Sequence, residues 1–294
     1  MNRSRKFILI IAAIGIALAC NLPSSAAPTS QPDVATIVAG TFQALTQVAQ
    51  TSMPQLTSTP TVTPSATPNP TPQNLNVTYL NIKLTIPLNL ANGTTNTSTT
   101  DVEYPYVNPS LGDMPQHTKI VLNGYPVQGT LLQPQILVFR ADEYSHYGDF
   151  SQRIVSGLRT LHYQHGQPLP SNLPSGSFNA AVQSVNFVNG NGIRYLTQLD
   201  QSPLPVNNHE LIYYFQGITS NGGYYVQAVL PIQAPFLAPD DNPNSPLPEH
   251  GIPFHSDQSY YGAVQQQLNA TAPDQFLPSL ASLDALIQSI TIMP

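Results

Sequence analysis

The chain has 294 residues and a formal net charge of −6, yet only 8% of its residues are charged. Beyond Arg194 it contains no Lys or Arg at all. Because nucleic-acid binding needs a basic face, we expect no nucleic-acid partner.

The N-terminus has the order of a secretory signal. Arg3, Arg5 and Lys6 precede an apolar run over residues 7–19, which ends with small residues before Cys20, the only cysteine of the chain. This run of about 13 residues is shorter than the roughly 20 residues that span a bilayer. A plain transmembrane helix or a chance cysteine are the alternatives, and we expect a signal peptide over residues 1–19.

The sequence Ala17-Leu18-Ala19-Cys20 resembles the lipobox of bacterial lipoproteins. That resemblance implies that the Cys20 thiol is acylated with diacylglycerol and that cleavage leaves Cys20 as the first residue. The protein would then be held on a membrane by this lipid, at the cell surface or in the periplasm. Loss of three of the nine cations leaves six against 15 acidic residues, a mature formal charge of −9. No disulfide is possible within a mature chain whose one thiol carries lipid.

Residues 20–50 form the predicted lipidated tether and an amphipathic stalk helix. Apolar residues recur there at three- and four-residue steps, at Val34, Ile37, Val38, Phe42, Leu45 and Val48. The stripe is typical either of a partly formed stalk or of a surface that contacts lipid or a second copy. Residues 51–74 are rich in Thr and Pro, which predicts a disordered, extended linker.

Residues 75–294 are predicted to form one α+β ectodomain. In chain order, hydrophobic periodicity predicts strands over 82–88, 119–122 and 135–139, a helix over 149–163, strands over 183–188, 193–199, 211–218 and 224–230, and helices over 256–268 and 277–290. Asn189-Gly190-Asn191-Gly192 and residues 219–223 are typical hairpin turns. This order favours an antiparallel sheet with helices packed on it.

The order of elements, closed by a helix with the sequence Leu283-Asp284-Ala285-Leu286-Ile287-Gln288-Ser289-Ile290, resembles the PsbP/Mog1-type sandwich. The resemblance is topological, covers the ectodomain alone and transfers no functional residue. Lipobox, stalk, Thr/Pro linker and single domain together also resemble bacterial surface lipoproteins with poorly characterised ectodomains, which implies a location.

Motifs for catalysis are missing from the sequence. No Gly-x-Ser-x-Gly elbow occurs, and the glycines at 190 and 192 join two strands without the Lys-Ser/Thr of a phosphate loop. His162 and His165 have a spacing that can bind zinc, but a helix end is the plainer interpretation. The available acids, namely Glu103, Asp142, Glu143 and Glu210 beside His209, cannot be brought together by sequence alone.

The long segment 233–257 contains the best metal candidate. Asp240, Asn242 and Asn244 match the first three ligand positions of an EF-hand-like calcium loop. Ser245 then stands at the position of the turn glycine, and Gly251 at that of the bidentate Glu. A solvated acidic loop is the alternative, and we expect no cofactor.

Tyrosines are concentrated in the predicted hairpins and form a possible ligand face: Tyr195, Tyr213, Tyr214, Tyr224 and Tyr225. Because adjacent strand residues point to opposite faces, one member of each pair is expected to face outward. Such a surface can bind a ligand or only stabilise the sheet.

Function is therefore predicted only in class. The favoured hypothesis is a lipid-anchored, extracytoplasmic binding or accessory module with no identifiable catalytic site and an unknown envelope or extracellular ligand. The alternative is an envelope hydrolase that uses carboxylates or a metal in the 233–257 loop. A structural envelope component that binds nothing small is a third possibility.

Overall fold

A computed structural model describes residues 74–101, 113–160, 178–198 and 203–294. These residues belong to one compact unit, Pro68–Pro294. The predicted signal peptide, Cys20, the stalk helix and nearly all of the linker lie outside the described residues, as do Glu103, His162 and His165.

Among these described residues, ten strands form two antiparallel sheets. In chain order they are β1 (Asn74–Tyr79), β2 (Ile82–Pro87), β3 (Gly93–Thr99), β4 (His117–Asn123), β5 (Gln135–Arg140), β6 (Ala180–Phe187), β7 (Gly190–Thr197), β8 (Ile212–Thr219), β9 (Tyr224–Pro231) and β10 (Thr291–Ile292). The larger sheet has the order β3-β4-β5-β9-β8-β7-β6, and the smaller one has the order β1-β2-β10. The predicted α+β class is confirmed.

In the described part of the chain, four helices accompany the sheets: α1 (Ala141–Ser145), α2 (Asp149–Thr160), α3 (Gln258–Ala270) and α4 (Leu280–Gln288). The Asp257 carboxylate caps α3 by accepting from the backbone N–H groups of Ser259 and Tyr260. The Ser279 hydroxyl caps α4 through the Ser282 N–H. Over the described ranges, no helix is both long enough and apolar enough to cross a bilayer.

Both faces of the seven-stranded sheet are covered in its centre. Alternate residues such as Tyr213 and Phe215 pack on one side into a core shared with the small sheet, α3 and α4. Their neighbours, such as Tyr214, pack on the other side with α1 and α2. We call these the first face and the second face. Because each strand of the centre is buried on both sides, β8 is buried at every one of its eight residues.

The second face is left uncovered near one edge of the sheet. The helices α1 and α2 contact β5, β8 and β9. The side chains of β3 are exposed or half-buried along its whole length, in contrast to β8. A surface over β3 and β4 is therefore open, and it contains a depression lined by both strands and the loop that follows β4.

Candidate functional site

A groove of about 790 Å³ lies over β3 and β4 on the second face. Eight of its lining side chains carry hydroxyl or amide groups: Thr95, Thr97, Ser98, Thr99, Asn123, Gln128, Thr130 and Gln133. Apolar and aromatic side chains complete the lining, namely Val121, Leu122, Tyr125, Val127, Leu132 and Pro134, together with Asp101, Lys119 and two glycines. A volume of this size is in the range of small-molecule sites.

One wall of the groove comes from the regular alternation of β3. Thr95, Thr97 and Thr99 point to the same side, because successive strand residues alternate between faces. The pairing of β3 with β4 is unbroken over seven residues, and it places Lys119 opposite Thr97. The Thr95 hydroxyl accepts a hydrogen bond from Asn123 Nδ2 at 3.2 Å, and Thr99 Oγ1 accepts from the Asp101 N–H at 3.0 Å.

The other wall is the loop 124–134 between β4 and β5. It is able to turn sharply because Gly124 and Gly129 both have a φ of +68°, a conformation that other residues rarely adopt. A Cβ on Gly124 would also lie 2.6 Å from the Asn92 side chain. The Thr130 hydroxyl donates to the Leu132 carbonyl at 2.9 Å, which fixes its position at the rim.

Two contacts tie this loop to the body of the domain. The buried Tyr125 hydroxyl donates to the Pro231 carbonyl at 2.8 Å, and burial raises the pKa of the Tyr125 phenol well above its ordinary value. His209 Nδ1 lies 2.6 Å from the Gly129 carbonyl oxygen, and the Leu131 N–H donates to the His209 carbonyl at 2.9 Å. Because the loop is held at both its start and its middle, the groove is a preformed feature.

Electrostatically the groove is almost neutral. Among the described residues that line it, Lys119 and Asp101 are the charged ones. Hydroxyl and amide groups both donate and accept hydrogen bonds, whereas a lone cation and a lone carboxylate cannot neutralise a polyion. The arrangement therefore suits a ligand that is polar and uncharged.

The expectation that one tyrosine of each pair faces outward is wrong for the sheet centre. Tyr195, Tyr213, Tyr214 and Tyr225 are all at most 2% exposed, because both faces of the sheet are covered. Tyr224 is half-buried beside the Arg140 guanidinium, 5.9 Å from its ring centroid. These five residues therefore do not form an exposed surface in the structure.

Tyr213 packs into the core of the first face, whereas Tyr195, Tyr214 and Tyr225 build the core under α1 and α2. The rings of Tyr144 and Tyr225 stack at 4.5 Å, and those of Tyr195 and Tyr214 meet edge to face at 5.4 Å. The Tyr214 hydroxyl accepts from Gln216 Nε2 at 3.0 Å. Burial is the main cause that raises the pKa values of Tyr144 and Tyr214 far above the ordinary tyrosine value.

In the 233–257 segment, the oxygens proposed for metal binding form local turns. Asp240 Oδ1 accepts from the Asn242 N–H at 3.2 Å and from the Ser245 hydroxyl at 2.5 Å. Asn242 Oδ1 accepts from the Asn244 N–H at 3.0 Å. Within the described ranges, no three His, Cys, Asp or Glu side chains gather in a way that could hold a metal ion.

The start of this segment is anchored to the domain. Asn208 donates from Nδ2 to the carbonyls of Ala234 and Leu237 at 3.1 and 3.2 Å, and its Oδ1 accepts from the Ala234 N–H at 2.8 Å. Phe236 and Leu237 are each 4% exposed. The start of this long segment therefore packs against the domain. The residues after it form turns that the side chains of Asp240 and Asn242 stabilise.

Other candidate acids have separate local partners. Arg159 donates to Asp142 Oδ1 at 2.6 Å, and this hydrogen bond holds the pKa of the exposed Asp142 carboxyl below its usual value. Glu210 Oε2 accepts from Asn207 Nδ2 at 3.0 Å, whereas its neighbour His209 contacts Gly129. His209 and Glu210 do not act as a pair.

Sequence reasoning did not find the groove, because it did not predict β3. The sequence Thr94-Thr95-Asn96-Thr97-Ser98-Thr99 has no hydrophobic period to mark it as a strand. The signal that was available is the β-branched threonine, which favours extended structure. No protein-family model and no curated protein matches the chain.

Proposed function

We propose that the protein is a lipid-anchored, extracytoplasmic binding module and that the groove over β3 and β4 is its ligand site. The lipobox at Cys20 supports the anchor, and the Thr/Pro-rich segment 51–74 supports a spacer between membrane and domain. The folded unit supports the binding role, since it presents one large preformed groove at the edge of its sheet.

The observation that carries the proposal is the chemistry of the groove lining. Three threonines at alternate positions of β3 face the amide groups and the hydroxyl group of the opposing loop. The charged lining residues in the described part are one cation and one carboxylate. Such a surface offers alternating donors and acceptors over the length of several strand residues. The ligand class is an uncharged, elongated molecule rich in hydroxyl or amide groups.

Backbone amide chemical shifts of the 15N-labelled protein test this proposal. The probes are uncharged oligosaccharides, including a hexamer of N-acetylglucosamine, and uncharged peptides with blocked termini. Polyuronate and oligolysine of similar length serve as charged comparators. We expect saturable shifts with an uncharged probe, concentrated in residues 93–101, 117–123 and 124–134.

Two results would contradict the proposal. One is tighter binding of either charged comparator than of every uncharged probe. The other is a set of shifts that leaves the groove unaffected and lies in the 233–257 segment or on the far sheet edge.

A further inference from the structure

We propose that the free edge of β3 pairs with β3 of a second copy of this chain, in antiparallel register centred on Asn96. The pairing uses the edge of the strand and its backbone groups. The interface includes the side chains of Thr95 and Thr97, which also line the groove, but the pairing itself requires no ligand.

The two edge strands of the seven-stranded sheet, β3 and β6, differ in how regular they are. At the β6 edge the register shifts between Ala180 and Gln183, and Ala181 has a positive φ of 48°. The Ala181 N–H is bound by Asn269 Oδ1 of α3 at 2.6 Å, and its carbonyl accepts from the Arg194 guanidinium. A bulge whose backbone groups are occupied by side chains disfavours the addition of another strand at that position.

Within the described ranges, the β3 edge shows no such bulge. Its pairing with β4 runs without a bulge over all seven residues, and it contains no Pro and no charged residue. Within the part of the chain that the structure describes, no third strand pairs with it. Natural edge strands are usually blunted by Lys, Pro, bulges or a covering helix, so a regular and neutral seven-residue edge favours strand addition.

The sequence of β3 makes a second copy the fitting partner. An antiparallel pair centred on Asn96 places Thr95 opposite Thr97 and Thr94 opposite Ser98, and each pairing occurs twice by symmetry. Hydroxyl pairs of this kind are favourable across strands. In a self-pairing strand a charged residue close to the two-fold axis lies near the same charge of its symmetry mate, and β3 carries none although the whole chain has a net charge of −6.

Symmetry also closes the assembly. A two-fold interface uses the same patch on both copies, so the pairing consumes both β3 edges and leaves the two bulged β6 edges outside. The result is a closed dimer with one continuous sheet instead of a growing fibre. The two grooves then lie on either side of the dimer axis.

Disulfide trapping in the full chain tests the register. Cys20 is the only native cysteine, so every variant carries Cys20→Ala. Thr95→Cys in one copy and Thr97→Cys in the other are directly opposite in the proposed register, at a Cα separation of roughly 4.5–5.5 Å that a disulfide bridges. Each residue lies about 7–8 Å from its own symmetry mate, which is beyond the usual reach.

We therefore expect the mixed Thr95→Cys and Thr97→Cys chains to cross-link roughly tenfold faster than either chain alone, because only the mixture places two thiols opposite each other. Ser220→Cys, at the exposed turn between β8 and β9, gives the rate of random collision. Equal rates for the mixture and the separate chains, or rates no faster than the Ser220→Cys control, would overturn the proposal.

A charge swap distinguishes pairing from accidental contact. Thr94→Lys with Ser98→Lys in both copies places like charges opposite each other, and we expect cross-linking to slow by roughly tenfold. Giving one copy the two lysines and the other Thr94→Glu with Ser98→Glu restores opposite charges and the rate. Loss of cross-linking without recovery in the mixed pair would count against β3 pairing.

Discussion

Replacing Asp284 by alanine removes one partner of the best-buried ion pair among the described residues. Asp284 lies on α4, and its carboxylate accepts from Arg194 Nε at 3.2 Å and Nη2 at 3.3 Å. The side chains are 5% exposed for Arg194 and 16% for Asp284. The Tyr213 hydroxyl also donates to Asp284 Oδ1 at 2.8 Å, so one carboxylate ties α4 to β7 and β8.

The expected loss in the free energy of unfolding comes from the Arg194 charge, which stays buried without its partner. Arg194 keeps its bonds to the Ala181 carbonyl and to Gln183 Oε1, but it loses its counter-charge in a buried position. Removing one partner of such a buried pair lowers the free energy of unfolding by about 3–5 kcal/mol. With a urea slope of about 3 kcal/mol per molar for a large domain, the unfolding midpoint should fall by about 1 to 1.7 M.

Urea unfolding followed by circular dichroism measures this change. Asp142→Ala is the matched control, because Asp142 also binds an arginine, at 2.6 Å, but its side chain is 80% exposed. We expect a far smaller shift for that control, since exposed pairs are screened by solvent. The double variant Arg194→Met with Asp284→Leu should cost less than the sum of its single variants.

The reasoning would be refuted by an Asp284→Ala shift no larger than that of Asp142→Ala. Strict additivity of the double variant would refute it equally, because it would mean that the two charges do not act on each other.

Three further predictions concern ionisation, lipidation and metal. Burial raises the pKa values of Tyr144, Tyr213 and Tyr214 above 10.0, so the folded state favours the neutral phenol and the free energy of unfolding falls as the pH rises past 10. The phenolate absorbance of these residues should appear together with unfolding in a pH titration. Ionisation that precedes unfolding would contradict this prediction. Cys20→Ala should abolish incorporation of radiolabelled fatty acid, because no other thiol exists, and persisting label would refute the lipobox interpretation. Calcium or zinc should leave the thermal midpoint unchanged, because the Asp240 and Asn242 oxygens accept turn hydrogen bonds; a rise that disappears with Asp240→Ala and Asp241→Ala would reverse that conclusion.

The sequence predicted those elements that carry a hydrophobic period. The strands predicted over 82–88, 119–122 and 135–139 are observed as β2, β4 and β5. The second hairpin turns within the predicted residues 219–223, but the first turns at residues 188–189, and Gly190, Asn191 and Gly192 belong to β7 instead. The helix predicted over 277–290 is observed as Leu280–Gln288, because Ser279 provides the cap and Pro278 precedes it. For such elements, local pattern and tertiary packing agree.

The remaining elements depend on contacts that a single sequence does not display. β10 has two residues and exists because Thr291 and Ile292 pair with β2, more than 200 residues earlier in the chain. β3 contains no apolar residue and therefore shows no period. β1 is different, because Leu75, Val77 and Tyr79 alternate along it, and this signal could have predicted the strand. The outward tyrosines were predicted for a sheet with one open face, whereas the structure covers both faces of β8 and β9.

The candidate site could not be predicted from the sequence either. Its threonines come from β3, Lys119 comes from β4, and Thr130 comes from a loop whose position depends on Tyr125 and His209. None of these residues forms a motif along the chain. Only the register of β3 with β4 brings the hydroxyl groups to one surface.

The ligand affinity of Thr97→Val tests the central claim most directly. This change keeps the β-branched shape at an exposed position of the groove and removes its hydroxyl group. Calorimetric titration with the uncharged probe that binds the wild-type protein should show a loss of about 0.5–1.5 kcal/mol for the missing hydrogen bond, which is roughly a twofold to twelvefold weaker affinity. Thr78→Val, at an exposed position of β1, should bind as the wild type does. Equal affinity of both variants would contradict the assignment of the groove as the ligand site.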